Sequence, residues 1–268
     1  MPEGKQDRYV WGRIKIRKGH ILLSDEKIYI RDISGYIRDG AEKYEERLKL
    51  LPEWRYEKAM RFKFHPDRVR CAESYLLLME GLGSGEQAER ICREGFFYGT
   101  NKKPYLPGES RLFFNLSHSG DRVMCIISGA ECGCDVEQIK DSRDAIVRRF
   151  FHEKEKEFID AGEDTVRSFY KVWTLKESAM KACGEGMALA MDSFCVTEGL
   201  EPVRCSGGSG TNGAEAVKFS ISAGEGRTLV LKGREYTVGS FCEEGYFYGW
   251  CVENGEEKSH SATVLWYN

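Results

Sequence analysis

The chain has 268 residues, of which 41% are hydrophobic and 31% charged, and its formal net charge is −3. This composition is ordinary for a globular protein of one large or two small domains. The near-balance of charge provides no overall field toward nucleic acid or membranes. The charged N-terminus has no signal-like apolar region, and no uncharged apolar run is long enough to cross a bilayer. We expect a monomeric cytoplasmic protein that contacts neither nucleic acid nor membrane.

Cysteine and histidine usage points away from disulfides and zinc. The ten cysteines are scattered, form no CxxC motif and lie mostly inside apolar segments such as "VMCIIS". This pattern favours reduced thiols in a hydrophobic core. The five histidines are equally dispersed, which argues against a zinc site built from cysteine and histidine.

The first half of the chain contains one strand, several helices and a hairpin. Residues 1–25 are highly charged with little periodicity and are treated as an N-terminal extension. "KIYIRDI" alternates as a strand does, and the helical pattern that follows is interrupted at Pro52. A second helix begins near Pro66, and a shorter one ends near Gly95. "RLFFNLSHSGDRVMCIIS" predicts a hairpin that turns over residues 117–122, with Gly120 as its flexible point.

The second half repeats this order of elements. "CGCDVEQI" predicts a strand, residues 141–162 predict amphipathic helices, and "TVRSFYKVWTLKESAMKACGEG" has the clearest helical pattern in the chain. The rest predicts strands in "LAMDSFCVTE", "AVKFSISAG", "YTVGSFC", "YFYGWCVE" and "SATVLWYN". We interpret the fold as α+β, with an N-terminal half over residues 26–128 and a C-terminal half over residues 129–268.

Two carboxylates in "CGCDVEQIK" fall on one face of the predicted strand. Asp135 and Glu137 are two residues apart, so their side chains project in the same direction. Adjacent like charges repel, and paired carboxylates without a soft ligand favour a hard cation such as Mg²⁺. The alternative is an exposed strand face on which both charges are simply solvated.

The helix "FYKVWTLKESAMKA" places charged residues in and beside its apolar stripe. Lys176 falls inside the stripe and should find an anionic partner or extend to solvent. Glu177 and Lys181 lie along its edge, one turn apart. They form either an ordinary surface pair or, if the helix packs on the Asp135 strand, part of a shared site to which Glu177 adds a third carboxylate.

Several groups could bind phosphate. His118 is predicted at the tip of the hairpin in "LSHSGD", where Ser117 adds a hydroxyl and the turn adds backbone N–H donors. A surface histidine in a turn is more often without function. The lysines and arginines of "EKAMRFKFHPDRVR" and "NKKPYLP", which include Lys58, Arg70 and Lys103, become significant only if they converge.

These pieces occur in the order found in 4′-phosphopantetheinyl transferases of the surfactin-synthetase-activating type, which the chain resembles. The similar segments are "EKAMRFKFHPDRVR", "KKPYL", "FNLSHSGD", "GCDVE", "RRFFHEKEKEFI" and "FYKVWTLKESAMKACGEGMAL". The resemblance runs from about Lys58 to Val196. It implies a pseudo-twofold pair of α+β halves with the active site in the cleft between them.

The resemblance also implies roles for individual residues. It assigns Mg²⁺ to Asp135, Glu137 and Glu177, and catalytic roles to Glu177, Lys181 and His118. The residues implied to bind coenzyme A are Lys58, Arg70, Lys103, Ser117, His118 and Lys181. Two departures from the family pattern are Glu185 in place of a lysine and the missing glycine before the Lys-Pro pair, which leaves Lys102 and Lys103 both open as the contact.

The implied reaction moves the 4′-phosphopantetheine group of coenzyme A to a serine of an apo acyl- or peptidyl-carrier protein, with Mg²⁺, and releases adenosine 3′,5′-bisphosphate. Glu177 is a candidate base for the serine hydroxyl. The carrier is expected to dock at "FFHEKEKEFI" and the segment before it, residues 141–149, where Arg143, Arg148 and Arg149 are the candidate contacts for its acidic surface. The alternatives are a coenzyme A or nucleotide binding module that has lost transfer, and a magnesium-dependent phosphohydrolase.

Overall fold

A computed structural model describes residues 26–108, 110–141, 143–200, 203, 218–221, 227–255 and 262–267, so the extension over residues 1–25 lies outside the described residues. The helices are α1 Ser34–Asp39, α2 Ala41–Leu48, α3 Glu53–Met60, α4 His65–Leu82, α5 Glu86–Glu94, α6 Asp144–Phe150, α7 Glu153–Asp160 and α8 Thr165–Ala182. The strands are β1 Glu26–Asp32, β2 Phe97–Tyr98, β3 Pro104–Tyr105, β4 Phe113–Ser119, β5 Arg122–Ser128, β6 Cys132–Gln138, β7 Lys218–Ile221, β8 Arg227–Leu231, β9 Arg234–Glu243, β10 Tyr246–Glu253 and β11 Ala262–Tyr267.

Five strands form the first sheet, in the order β4-β5-β1-β11-β7. Strands β1 and β11 are parallel, with Ile28 opposite Val264, and the other neighbours are antiparallel. Strands β7 and β11 come from the C-terminal part of the chain. The sheets therefore do not divide the chain at residue 128, because its last strands return to the first sheet.

Four antiparallel strands form the second sheet, in the order β6-β10-β9-β8. The two sheets share an apolar core to which β1 and β5 contribute Ile28 and Met124, and β6 and β10 contribute Cys134 and Trp250. Cys132 and Cys134 are free, buried thiols in this core, as the sequence predicted. The strand alternation thus directs Asp135 and Glu137 away from the core between the sheets.

One helix of 18 residues covers the remaining face of each sheet. Helix α4 packs on the first sheet in a core that includes Leu76 and Cys125, and its second residue is Pro66, which suits a first helical turn. Helix α8 packs on the second sheet in a core that includes Leu175 and Phe247. The predicted α+β class is confirmed, while the pseudo-twofold relation between the halves stays a prediction.

The second core contains one ion pair with no exposed side-chain surface. Lys176 of α8 donates to Glu155 Oε1 of α7 at 2.7 Å and to the carbonyl oxygen of Phe194 at 2.8 Å. Glu155 also accepts from the backbone N–H groups of Val196 and His152. The predicted anionic partner of Lys176 is confirmed, and it ties α7, α8 and the segment after α8 together.

Three details of the sequence prediction are wrong. "LAMDSFCVTE", residues 189–198, is not a strand, because it contains the short 3₁₀ helix Met191–Ser193. His118 is not at the hairpin tip, because β4 continues to Ser119 and the turn is confined to Gly120 and Asp121. Helix α1 and strand β8 were not predicted at all.

No helix among the described residues has both the length and the apolar composition needed to cross a membrane.

Candidate active site

Strands β4 and β6 meet where the two sheets adjoin, and side chains of β4 bind the edge of β6. An edge strand leaves a row of backbone N–H groups without ladder partners. From Asn115 onward, every second residue of β4 carries a side-chain oxygen that accepts from one of these N–H groups. The pairs are Asn115 Oδ1 with the N–H of Cys134 at 3.1 Å, Ser117 Oγ with that of Val136 at 3.2 Å and Ser119 Oγ with that of Gln138 at 3.2 Å.

The same hydroxyls reach the two predicted carboxylates. Ser117 Oγ donates to Asp135 Oδ1 at 2.9 Å, and Ser119 Oγ donates to Glu137 Oε2 at 2.8 Å. Both carboxylates lie on the face of β6 that does not enter the core between the sheets, as predicted. Ser117 thus joins the predicted site. The contacts of Asn115 and Ser119 with β6 were not predicted, although the alternation of these residues in "NLSHS" is visible in the sequence.

Two glycines let α8 approach the second sheet closely. A Cβ atom on Gly133 would lie 2.1 Å from the carbonyl oxygen of Ser178, and one on Gly249 would lie 2.5 Å from that of Thr174. Gly249 is paired with Asp135 in the sheet, so the helix backbone passes directly beside that carboxylate. Only a residue without a side chain fits at either position.

Lys181 binds Asp135 instead of forming the ordinary pair with Glu177 that the sequence left open. Its ammonium donates to Asp135 Oδ1 at 2.6 Å, to the carbonyl oxygen of Cys134 at 3.1 Å and to Ser117 Oγ at 3.4 Å. Burial alone would lower the pKa of Lys181, but the charge and hydrogen bond of Asp135, together with the charges of Cys134 and Glu177, outweigh burial and raise the pKa. The lysine is therefore fully protonated at neutral pH.

The site carries more negative charge than Lys181 neutralises. Burial raises the pKa of Glu177, and the charges of Asp135 and Glu137 raise it further against the opposing effect of Lys181. Burial and the Asp135 charge likewise raise the pKa of Glu137. Asp135 Oδ2 is buried without a hydrogen-bond partner in the described part of the chain. A cation with oxygen ligands would satisfy this atom and offset the excess charge.

The three predicted metal ligands lie in one region, but they do not form a closed cage. Over the described residues, no group of three or more histidine, cysteine, aspartate or glutamate side chains is close enough to hold a metal ion. Asp135 Oδ1 is instead bound to Lys181 and Ser117. The donor chemistry nevertheless fits Mg²⁺, which takes one or two carboxylates and fills its other positions with water or phosphate oxygens.

His118 and Arg70 lie at the end of the first sheet next to this group. His118 is exposed on β4, one residue beyond Ser117. Its pKa is lowered by desolvation and by the positive charges of Arg70 and Lys181, so the imidazole is mostly neutral at pH 7. Arg70 donates to the carbonyl oxygen of Gly120 at 2.7 Å and to Asp67 at 2.7 Å. His118 is thus within the electrostatic influence of Lys181, and Arg70 binds the hairpin turn that follows β4.

Lys58 and Lys103 are placed differently. Lys58 is exposed on α3, and partial burial of its ammonium and the charge of Arg55 lower its pKa. No hydrogen bond joins Lys58 to Asp135 among the described residues. Lys103 is buried at the C-terminal end of α8, where it donates to three protein oxygen atoms. The structure therefore brings Ser117, His118 and the carboxylates together without these two lysines.

Comparison with known sequences identifies related proteins. A sequence model described as the 4′-phosphopantetheinyl transferase superfamily matches residues 131–227. The chain is 30% identical over 159 residues to the 4′-phosphopantetheinyl transferase Sfp of Bacillus subtilis strain 168, a match that covers 58% of this chain and 70% of that protein.

Another 4′-phosphopantetheinyl transferase of Bacillus subtilis is 31% identical over 144 residues, or 52% of this chain. That match spans 63% of the relative, which is less than two thirds of its length. A crystal structure of Thermotoga maritima holo-[acyl-carrier-protein] synthase aligns with a TM-score of 0.30 and 13% identity, and covers 48% of this chain and 65% of that one. A TM-score this low is not evidence that the two chains share a fold.

Proposed function

Since this chain belongs to the 4′-phosphopantetheinyl transferase superfamily, we propose that it transfers 4′-phosphopantetheine from coenzyme A to a serine of an apo carrier protein. The observation that carries the proposal is the cluster in which Lys181 and Ser117 bind Asp135 beside Glu137 and Glu177. A phosphoryl transfer needs positioned charges around a pyrophosphate more than it needs a covalent intermediate. This cluster supplies cationic, hydroxyl and carboxylate groups side by side.

Asp135, Glu137 and Glu177 would hold Mg²⁺ in this proposal. The orphaned Asp135 Oδ2 and the raised pKa values of the two glutamates support that assignment, because a bound cation relieves both. When bound, the ion would supply charge neutralisation and polarisation of the pyrophosphate.

In the proposed reaction the oxygen of the carrier serine attacks the phosphorus that bears pantetheine. The bond from that phosphorus to the bridging oxygen breaks, and adenosine 3′,5′-bisphosphate leaves. The hydroxyl proton needs an acceptor, and Glu177 is our candidate because its raised pKa makes it a stronger base than an ordinary carboxylate. The protonated Lys181 would stabilise the charge of the leaving phosphate. His118 and Arg70 would bind phosphate oxygens beside it, whereas the Ser117 hydroxyl donates its one proton to Asp135.

The carrier would dock along α6. Arg143 is exposed just before its first turn, Arg148 and Arg149 are exposed in its last turn, and Phe150 next to them keeps 43% of its surface exposed. The charge of Arg143 acts on Glu137, so this surface adjoins the carboxylate group. Basic residues around an exposed aromatic ring suit an acidic protein partner.

The test is to incubate the purified protein with coenzyme A, MgCl₂ and a panel of apo carrier proteins, and then to weigh the carriers by mass spectrometry. We expect a phosphopantetheine mass increment that disappears with a chelator and returns with added Mg²⁺. Asp135→Asn and Glu177→Gln should abolish the increment with unchanged circular dichroism. Glu235→Gln, an exposed position on β9, is the matched control.

Two results would count against the proposal. No increment on any carrier, combined with tight coenzyme A binding in calorimetry, would favour a binding module that has lost transfer. Phosphate release without a carrier would instead indicate a hydrolase. Full activity of Asp135→Asn would remove the assignment of the metal to this residue.

A further inference from the structure

Lys103 lies where strand β6 begins and helix α8 ends. Its ammonium donates to the carbonyl oxygen of Ala182 at 2.7 Å, to that of Cys132 at 3.1 Å and to Glu131 Oε2 at 2.5 Å. A lysine ammonium has three protons to donate, and all three are used here. In this geometry none is left for a phosphate of coenzyme A, and the side chain of Lys103 is 6% exposed, whereas that of Lys181, which also contacts three oxygen atoms, is 27% exposed and open to a ligand.

The partners of Lys103 belong to the two elements that carry the candidate active site. Cys132 is the first residue of β6, three residues before Asp135. Ala182 is the last residue of α8 and directly follows Lys181. One side chain from the β2–β3 connection therefore joins the start of the strand to the end of the helix. Lys181 and Asp135, which contact each other at 2.6 Å, are one residue along the helix and three residues along the strand from these two attachment points.

Lys103 meets a need that α8 cannot meet by itself. The last carbonyl groups of a helix have no partners within the helix, and a cation near them is favoured by the helix dipole. The ammonium takes the carbonyl of Ala182, and Asn101 Nδ2 of the same loop donates to that of Gly184 at 3.0 Å. The loop thus caps α8 through long-range contacts.

The burial of Lys103 shows that these contacts are not incidental. Only 8% of the residue is exposed, and a buried ammonium is tolerated only when its charge and its donors are matched. Glu131 provides the opposite charge, and the ammonium lies 5.8 Å from the centre of the Tyr105 ring. The site is complete without any ligand.

We propose that Lys103 is a positioning residue that holds the C-terminal turn of α8 against β6 and thereby sets Lys181 beside Asp135. The proposal rests on the proposed function for its effect on catalysis. A phosphate contact and a positioning residue predict different kinetics. Loss of a phosphate contact would weaken the binding of coenzyme A, whereas loss of a positioning residue would slow the chemical step.

The test compares Lys103→Met with Lys232→Met. Lys232 is an exposed lysine in the turn between β8 and β9, outside the site. Loss of a residue that orients direct ligands costs about 10–100-fold in activity. We expect kcat of Lys103→Met to fall by about that factor, with KM for coenzyme A unchanged. Lys232→Met should match the unaltered protein in both constants.

Hydrogen exchange provides a readout that does not need activity. The amides of residues 179–183 should exchange faster in Lys103→Met, because the last turn of α8 loses its anchor. Unchanged exchange there, or a rise in KM for coenzyme A at constant kcat, would overturn the proposal. Failure of the proposed function would appear differently, as absence of transfer by the unaltered protein.

Two milder variants cover the case in which Lys103→Met does not fold. Glu131→Gln keeps a hydrogen-bond acceptor and removes the charge, and Asn101→Ala removes only the contact with Gly184. Both should accelerate exchange at the end of α8 to a smaller degree. If neither does, Lys103 does not hold the helix.

Discussion

Replacing Lys176 with methionine should destabilise the protein strongly, although the residue lies outside the candidate active site. Its partner Glu155 would keep two backbone donors, the N–H groups of Val196 and His152, but would lose the positive charge that is bonded to it in the described part of the chain. Methionine has a similar length and suits the apolar surroundings, which include the Phe194 ring centred 4.0 Å from the ammonium. The dominant effect is therefore the uncompensated charge, not a cavity.

Removal of one partner from a buried pair typically costs about 3–5 kcal/mol. A domain is stable by about 5–15 kcal/mol in total, so the loss is a large share of the free energy of unfolding. The same substitution in an exposed pair on α7, Lys156 with Glu153, should cost about 0.2–0.5 kcal/mol. Lys156→Met is therefore the matched control.

The assay is urea unfolding followed by circular dichroism. The free energies of unfolding are compared between variants that share the same slope m, the dependence of that free energy on urea concentration. A third variant, Lys176→Met with Glu155→Gln, removes the orphaned charge and keeps an oxygen that can accept from the backbone. We expect it to be more stable than Lys176→Met alone. If the double variant loses the sum of the two single losses, the charge argument for this pair is wrong.

Further predictions concern acid stability, helix packing and carrier docking. Burial would raise the pKa of Glu73, but its bonds to arginines hold it below the ordinary value, so its contribution to stability is present above the unfolded pKa and is lost as pH falls through the folded one. Thermal unfolding should show a deficit of about 3 kcal/mol for Glu73→Gln at pH 6 that shrinks toward pH 3; a constant deficit would contradict this. Gly133→Ala should cost about 1–3 kcal/mol in urea and reduce transfer, because the helix must move, whereas Gly35→Ala, where no atom lies within 4 Å, should not. Reversing the charges of Arg148 and Arg149 should lower kcat/KM for the carrier most at low salt, and unchanged kinetics would exclude this docking surface.

Local pattern predicted the strand and the helix that carry the site. Alternation in "CGCDVEQI" fixed which side chains share a face, and the structure confirms that Asp135 and Glu137 share one while Cys132 and Cys134 enter the core. The helical stripe around Lys176 predicted a buried cation with an anionic partner. Each of these inferences depends on residues a few positions apart.

The features that the sequence did not predict depend either on contacts between distant residues or on the geometry of short local turns. The parallel pairing of β1 with β11 joins residues more than 200 positions apart, and nothing near β1 indicates its partner. "LAMDSFCVTE" has the apolar content of a strand, but Ser193 binds the carbonyl oxygen of Ala190 and closes a tight local turn. His118 was misplaced because a turn of two residues, with Gly120 at a φ of 52°, lets β4 extend past it.

The candidate site joins the two sheets, because neither sheet contains all of its groups. Strand β4 of the first sheet supplies Ser117, β6 of the second sheet supplies Asp135, and helix α8 supplies Lys181. Side chains of β4 bind the edge of β6. Lys103, from the connection between β2 and β3, binds the end of helix α8. If the two sheets moved apart, the contacts of the site would break, and the backbone N–H groups at the edge of β6 would be exposed at the same time. The contacts that stabilise the geometry of the site thus also hold the two sheets against each other.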